Sequence, residues 1–203
     1  MPNLFATMTK TVEFLFDVGS PTAYLAWTQL PQICAETGAT LVSTPMLLGG
    51  VFQATGNASP AAVPAKGRYM TADLTRFAKR YGVPFAHNPN FPINTLLLMR
   101  GAVGVQLRLP ERFDTYLKAV FGALWVEQKN LNDPAVLMAT LAAAGFEPAT
   151  MQALVAEPAV KDALRANTES AVARGVFGAP TLFVGETMFF GQDRLDFVRE
   201  ALL

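Results

Sequence analysis

Between Thr11 and Met46 the chain changes its period twice, and no other stretch constrains its fold as tightly. Thr11-Val-Glu-Phe-Leu-Phe16 is β-branched and aromatic and reads as a strand. Its near-continuous apolar end suits a central strand covered on both faces. Gly19-Ser20-Pro21 follows at once. Ser20 is a natural N-cap, and Pro21 fits the first helical position, where a missing amide proton costs nothing. A helical pattern runs on to about Thr37, with Leu25, Leu30, Ile33 and Cys34 on an inward face. Pro31 inside it should kink or briefly break the helix. Gly38 stops it, and Thr40-Leu-Val-Ser-Thr-Pro-Met46 reads as a second strand. Strand, helix, strand at this length implies a parallel crossover and hence an α/β domain.

The period changes again near the end. Pro180-Thr-Leu-Phe-Val-Gly185 and Thr187-Met-Phe-Phe190 read as a short antiparallel hairpin, and Asp193 to Leu203 as a closing helix. Everything between is helical or turn-rich. Leu47 to Lys66, with Gly49, Gly50, Gly56, Pro60 and Pro64, reads as an ordered loop with short helical turns, a kind of segment that often carries function. Thr71 can cap a helix to about Tyr81. Pro92 to Leu107 is apolar nearly all round and reads as a buried helix; Pro110, Pro134, Pro148 and Pro158 open further helices. The expected fold is α/β: a four-stranded mixed sheet with strands near 12–16, 40–46, 181–184 and 187–190. An all-helical block from about 60 to 174 would be inserted into it. The corresponding domains would be 10–48 with 175–203, and 49–174 for the connecting loop and helical insertion. Residues 1–10 read as a loose leader.

Composition narrows the classes of function. The 203 residues carry 16 basic and 16 acidic side chains, and hydrophobic residues make up 51%. Nothing here supplies the basic face of a nucleic-acid binder. No apolar stretch is long enough for a membrane span, and none before Glu13 resembles a signal peptide, so the cytoplasm is the default location. A single cysteine, Cys34, excludes an internal disulfide and a multi-cysteine metal site. With one histidine, His87, neither a catalytic triad nor a histidine-rich metal site is plausible unless His87 serves it alone, and no metal is expected.

Several residues could carry chemistry. The Ser20 hydroxyl sits where first-turn amides favour an anion, although serines cap helices everywhere. At Ala179-Pro180, heading the third strand, a cis bond would turn the preceding backbone groups outward for a peptide-like ligand; proline is otherwise ordinary at a strand start. Asn57, Lys66, Arg68 and Tyr69 cluster in the loop and the helix after it, although surface cations are more often solvated. Asp193 could accept an ammonium group or simply cap the last helix. Asn94 is an odd polar residue in the first turn of an apolar helix. His87, Trp27 and Trp125 suit structural or pocket-lining roles, and Cys34 that of an inert buried thiol.

Taken in order, these pieces resemble a known family. Phe16-Asp-Val-Gly-Ser-Pro-Thr-Ala-Tyr-Leu-Ala26 is similar to the active-site segment of 2-hydroxychromene-2-carboxylate isomerases and kappa-class glutathione transferases. So are Gly56-Asn57, Pro64-Ala-Lys-Gly-Arg-Tyr-Met70, Phe91-Pro-Ile-Asn-Thr-Leu96, Gly175-Val-Phe-Gly-Ala-Pro-Thr-Leu182 and Phe190-Gly-Gln-Asp-Arg-Leu195. The resemblance implies a thioredoxin-like domain with a helical insertion, a homodimer, and glutathione in a groove between the two parts. Ser20 would hydrogen-bond the glutathione sulfur. Asn57 and Lys66 would help hold the tripeptide, Ala179 before a cis Pro180 would pair with its cysteinyl part, and Gln192 and Asp193 would receive its γ-glutamyl group. Tyr69 and Asn94 would sit on the substrate side; Arg68 or Lys66 would stabilise an enolate or the substrate carboxylate. The family usually carries an aromatic and a serine after the proline, where this chain has Thr22 and Ala23.

The implied activity is conversion of 2-hydroxychromene-2-carboxylate, or a similar aromatic ring-cleavage product, to the trans-hydroxybenzylidenepyruvate form, as in naphthalene and other aromatic hydrocarbon catabolism. Glutathione thiolate would add to the conjugated carbon, the new single bond would rotate, and elimination would return the cofactor. Ser20-Pro-Thr-Ala23 stands where a redox thioredoxin has two cysteines, so disulfide exchange through a resident dithiol is excluded. A kappa-like transferase or peroxidase acting on other electrophiles is the alternative; a redox-silent peptide-binding protein is a third reading.

Overall fold

The structure, a computed structural model, describes residues 9–203; the expected leader therefore lies outside them, apart from Thr9 and Lys10. Strand β1 (Thr11–Phe16) leads through helix α1 (Pro21–Thr37) to β2 (Thr40–Pro45), and the closing hairpin is β3 (Thr181–Val184) with β4 (Thr187–Phe190). The strand order is β2-β1-β3-β4. β1 runs parallel to β2, with Thr11 opposite Thr40, and antiparallel to β3, with Val12 opposite Val184. All four strands stand where the sequence places them, within a residue at either end. α1 ends on Gly38, whose φ of 70° is the left-handed conformation that glycine adopts without a Cβ penalty.

Between β2 and β3 the chain is helical: α2 (Leu48–Thr55), α3 (Pro64–Tyr81), α4 (Leu96–Arg108), α5 (Phe113–Trp125), α6 (Pro134–Ala143), α7 (Pro148–Ala156) and α8 (Pro158–Ala173). After β4, a 3₁₀ turn (Gln192–Arg194) leads into α9 (Leu195–Leu202). No further strand occurs among the described residues. Proline opens α1, α3, α6, α7 and α8, because its ring presets φ and the first-turn amide has no intrahelical partner to lose.

Four details depart from the sequence reading. Helical structure starts at Leu48 rather than near 60. α3 starts at Pro64, so Thr71 is not its cap and bonds its hydroxyl back to the Gly67 carbonyl at 3.1 Å. α4 starts at Leu96, not at Pro92, because Asn94 forms a local turn in which its side-chain oxygen accepts from the Leu96 amide at 3.1 Å. α1 runs unbroken through Pro31, which lies on its exposed side, so packing of the inward face outweighs one missing hydrogen bond.

One apolar core runs from the sheet into the insertion. Phe14 stacks on Phe16 at 5.0 Å, and Phe16 meets Phe121 of α5 at 6.1 Å. The apolar character of residues 93–107 is largely absorbed within the chain: α4 buries Leu98, Met99, Ala102, Val103 and Val105 against neighbouring helices. Gly104 lies so close to Leu154 of α7 that any side chain there would collide with it. No helix among the described residues is long and apolar enough to cross a membrane.

Candidate functional site

The junction of β1 and α1 carries Ser20. Its backbone is extended, with φ −92° and ψ 114°, and its hydroxyl accepts from the Ala23 amide at 3.1 Å, so it is a helix N-cap. It is also more than a cap. The same oxygen lies 3.0 Å from the Ala179 carbonyl and 2.8 Å from the Thr22 hydroxyl, and Thr22 in turn lies 3.1 Å from the Ala179 carbonyl. Two hydroxyl protons therefore share three oxygen positions, and either hydroxyl can satisfy Ala179 while the other turns. The Ala179–Pro180 peptide is cis, as is Phe91–Pro92. The Ala179 amide has no hydrogen-bond partner among the described residues.

Beneath this turn lies Asp17, a residue to which the sequence reading gave no role. One carboxylate oxygen accepts from the Gly19 amide at 2.9 Å. The other accepts from the Leu48 amide at the start of α2 and from the Thr95 hydroxyl before α4, both at 2.9 Å. Asp17 is thus a clamp joining the β1–α1 turn to two helix starts. Burial pushes its carboxyl above the ordinary 3.8, against the three hydrogen bonds, which pull the other way. Gly19 is required beside it: a Cβ there would stand 2.6 Å from the Thr95 methyl. Trp125 holds the turn from the far side, its indole N–H donating to the Val18 carbonyl at 2.8 Å.

Ser20, Thr22 and Asp17 line a cavity of about 690 Å³ between the sheet end and the insertion. This falls within the roughly 300–1,000 Å³ of small-ligand sites. Phe52, Met70, Phe91 and Ile93 supply apolar wall; Asn94, Gln192 and Asp193 supply polar groups. Asn94 accepts from Leu96 and so keeps its side-chain amide hydrogens for another partner. Gln192 is buried in a turn pinned by the Tyr81 hydroxyl, which donates to the Gln192 carbonyl at 2.9 Å. That contact's burial, then the nearby Asp196 and Asp193 carboxylates, push the Tyr81 phenol up to about 12. Asp193 forms no helix cap; it pairs with Arg194 at 3.4 Å.

The remaining sequence candidates stand at different distances from this cavity. Lys66 and Tyr69 line an adjoining groove that shares Pro60, Met70 and Asp73 with it. Asn57 reaches across instead to the Phe177 carbonyl at 2.8 Å, tying its loop to the segment before Ala179. Arg68 is exposed on another side of α3 and lines neither space, because Lys66, Tyr69, Met70 and Asp73 share one face by helical spacing and position 68 does not. The cavity wall itself holds carboxylates but no lysine or arginine. Cys34 is buried in the core cluster and its thiol is pushed up by burial, so it belongs to packing. Asp17 and Thr95 were readable only as part of a quoted segment, since a long-range carboxylate–hydroxyl contact leaves no spacing signal.

Sequence comparison matches residues 11–203 to the DSBA-like thioredoxin domain. A 2-hydroxychromene-2-carboxylate isomerase from Sphingobium xenophagum is 32% identical over 198 residues, covering 97% of this chain and 100% of its own. Glutathione S-transferase kappa 1 from Homo sapiens is 29% identical over 206 residues, covering 95% and 91%. A solved 2-hydroxychromene-2-carboxylate isomerase superposes with a TM-score of 0.82 at 27% identity, over 95% of this chain and 94% of that one. This chain's four-stranded sheet, interrupted by a large helical insertion, and these full-length matches agree: the chain belongs to the DSBA-like thioredoxin-domain family and is homologous within it to 2-hydroxychromene-2-carboxylate isomerases and kappa-class glutathione transferases.

Proposed function

We propose that this chain is a glutathione-dependent cis–trans isomerase acting on 2-hydroxychromene-2-carboxylate or a similar aromatic ring-cleavage product, yielding the trans-hydroxybenzylidenepyruvate form. The observation that carries the reading is the Ser20–Thr22–Ala179 cluster: a hydroxyl at a helix N-terminus, on the wall of a largely apolar cavity, whose proton can turn without orphaning its neighbour. The donor set fits glutathione. The unpartnered Ala179 amide would pair with its cysteinyl backbone, Gln192 and Asp193 would take the γ-glutamyl end, and Lys66 would hold the tripeptide from the side; Asn57, bonded to the Phe177 carbonyl and lining neither space, would need a rearrangement to join it. When bound, glutathione supplies a thiol nucleophile that adds reversibly to the conjugated carbon and departs after rotation.

The chain's own residues make that chemistry selective. Ser20 turns its proton to the sulfur, and Thr22 keeps the Ala179 carbonyl satisfied. First-turn amides of α1 favour the anionic sulfur, so the thiol pKa falls, each unit being worth about 1.4 kcal/mol. Phe52, Met70, Phe91 and Ile93 exclude water. The Asn94 amide and the Tyr69 hydroxyl offer donors to substrate oxygens, and Lys66 from the adjoining groove offers the nearest cation; Arg68 would need a rearrangement to take part. We further propose a cytoplasmic homodimer in aromatic hydrocarbon catabolism, such as naphthalene degradation, with 10–48 and 175–203 forming one domain and 49–174 the other.

The test is an ultraviolet thiolate titration of the glutathione complex of parent and Ser20→Ala, beside their isomerase pH profiles. A hydrogen bond to a charged group is worth about 1.5–3 kcal/mol, so the bound thiol pKa should rise by roughly one to two units. Activity at neutral pH should fall and partly recover at higher pH. An unchanged thiol pKa and pH profile would leave Ser20 as a helix cap alone. The kappa 1 relative supports a second reading, a kappa-like transferase or peroxidase. Faster conjugation of a chloronitrobenzene than isomerisation would favour it.

A further inference from the structure

A second cavity, of about 710 Å³, lies on the other side of Leu47 and Leu96, which back both spaces. It is bounded by α2, α4 and α8, with Ala54, Leu96, Leu164 and Val172 giving it apolar walls. Arg100 of α4 projects into this wall. The Arg100 Nε is shielded from solvent and has no hydrogen-bond partner, and its guanidinium forms no ion pair among the described residues. Nε is sealed off from the cavity as well as from water, whereas the two terminal nitrogens are unpaired and not shielded in this way, so a planar carboxylate can take their N–H groups end-on.

The other charges around the cavity do not neutralise Arg100. Arg165 is paired with Asp162 at 2.7 Å, which leaves Arg100 and Lys161 against Glu169. The balance is one positive charge in a mostly apolar space. We propose that this cavity is a binding site for an apolar monocarboxylate, held by Arg100 through its carboxylate and by Leu96, Leu164 and Val172 through its hydrocarbon body. The site is separate from the Ser20 cavity and does not depend on the activity assigned there. Glu169 lines the same cavity and forms no ion pair among the described residues, so its charge opposes a bound carboxylate.

The experiment is calorimetric titration of the full chain with octanoate and with the uncharged octanamide, saturated chains unlike the aromatic acid assigned to the Ser20 cavity. The carboxylate should bind once per chain and at least tenfold more tightly than the carboxamide. Arg100→Met, which keeps apolar length but removes the charge, should abolish that preference. Ala54→Trp, which fills the cavity, should weaken both ligands, and Glu169→Gln should tighten the carboxylate. Thermal melts establish that each variant is folded; should Arg100→Met not fold, Glu169→Gln and Ala54→Trp still decide the matter. No binding to the parent, equal binding of acid and amide, or binding unaffected by Ala54→Trp would each overturn the proposal. So would a parent that binds nothing while Arg100→Met changes its sedimentation mass, because a second copy would then cover the cavity.

Discussion

The turn after β1 and the junction before α7 each hold a carboxylate that accepts three hydrogen bonds, yet their acidities move in opposite directions. Asp17 takes two backbone amides and the Thr95 hydroxyl. Glu147 takes the Ala149 and Thr150 amides and the Thr150 hydroxyl. The Glu147 carboxyl lies below its ordinary 4.5, chiefly through the Thr150 amide, then the Ala149 amide and the Thr150 hydroxyl. Asp17 lies above its ordinary value because loss of water outweighs the same number of bonds. The bonds also reach different places. Those of Glu147 return to its own helix, whereas those of Asp17 join the Ser20 turn to the starts of α2 and α4. A carboxylate that is costly to bury is being used where three elements must meet around a cavity.

The largest effect should come from breaking that clamp. In Asp17→Asn either orientation of the amide sets its N–H₂ against a backbone N–H, that of Gly19 or that of Leu48. We expect a loss of about 3 kcal/mol, from a buried donor left unpaired and a charge-assisted bond removed. For a chain of this size that corresponds to a fall of roughly 6–12 °C in Tm. Isomerase activity should fall with it, since the Gly19 amide and the α2 start lose their common anchor. Linkage supplies a sharper readout. The folded pKa of Asp17 is raised, so its titration favours the folded state fully below 3.8 and ceases to do so as pH rises through the folded value. The stability gap between parent and variant, measured by urea unfolding, should therefore widen on acidification. A gap that narrows would mean that the hydrogen bonds, not burial, control Asp17.

The same contrast marks what was legible in the sequence. Strands, crossover helix and hairpin were readable because period 2, period 3.6 and the Gly38 and Gly185 punctuation are local signals. Ser20 was readable as a cap for the same reason; for Asp193 the sequence leaves a cap and an ammonium acceptor open, because a carboxylate before a helix looks alike whether or not it caps, and the structure removes the cap. Helix starts at Leu48, Pro64 and Leu96 were misplaced. The first is held by the distant Asp17 carboxylate, and the last is delayed by an Asn94 turn that also binds Asn132 at 2.9 Å. Arg68 stands two residues from Lys66 in the chain, and only the helix phase separates them. Asp17, Thr95 and Trp125 act over long sequence separations, and no spacing rule reaches them.

A smaller effect is expected at Thr22, within the same turn. Thr22→Val keeps shape but removes the hydroxyl that can hold the Ala179 carbonyl when Ser20 turns away. Ser20 would then face a choice between Ala179 and the bound sulfur. A neutral hydrogen bond is worth about 1 kcal/mol net, so activity at neutral pH should fall about fivefold, with the bound thiol pKa rising by somewhat under one unit. Thr22→Ser should restore both. Stability should change little, because the Ser20 bond to the Ala23 amide remains. If Thr22→Val lowers activity without moving the thiol pKa, Thr22 acts on substrate shape and the shared-proton account of the cluster is wrong.

The smallest effect lies at the exposed member of the pair and completes the comparison. Glu147→Gln retains an acceptor for the α7 amides but removes the negative charge that favours a helix N-terminus. Its folded pKa is lowered, so the carboxylate's contribution is present above 4.5 and is lost as pH falls through the folded value. The variant should melt slightly below the parent at neutral pH, and the difference should shrink on acidification, opposite in sign to Asp17→Asn. Isomerase activity should be unaffected, because α7 contributes nothing to the cavity wall. Differential scanning of parent and both variants across one pH series tests the two signs together. If the Glu147→Gln difference grows at low pH alongside that of Asp17→Asn, the two carboxylates titrate in the same direction. Burial would then not be what separates a clamp at the site from a cap on the surface.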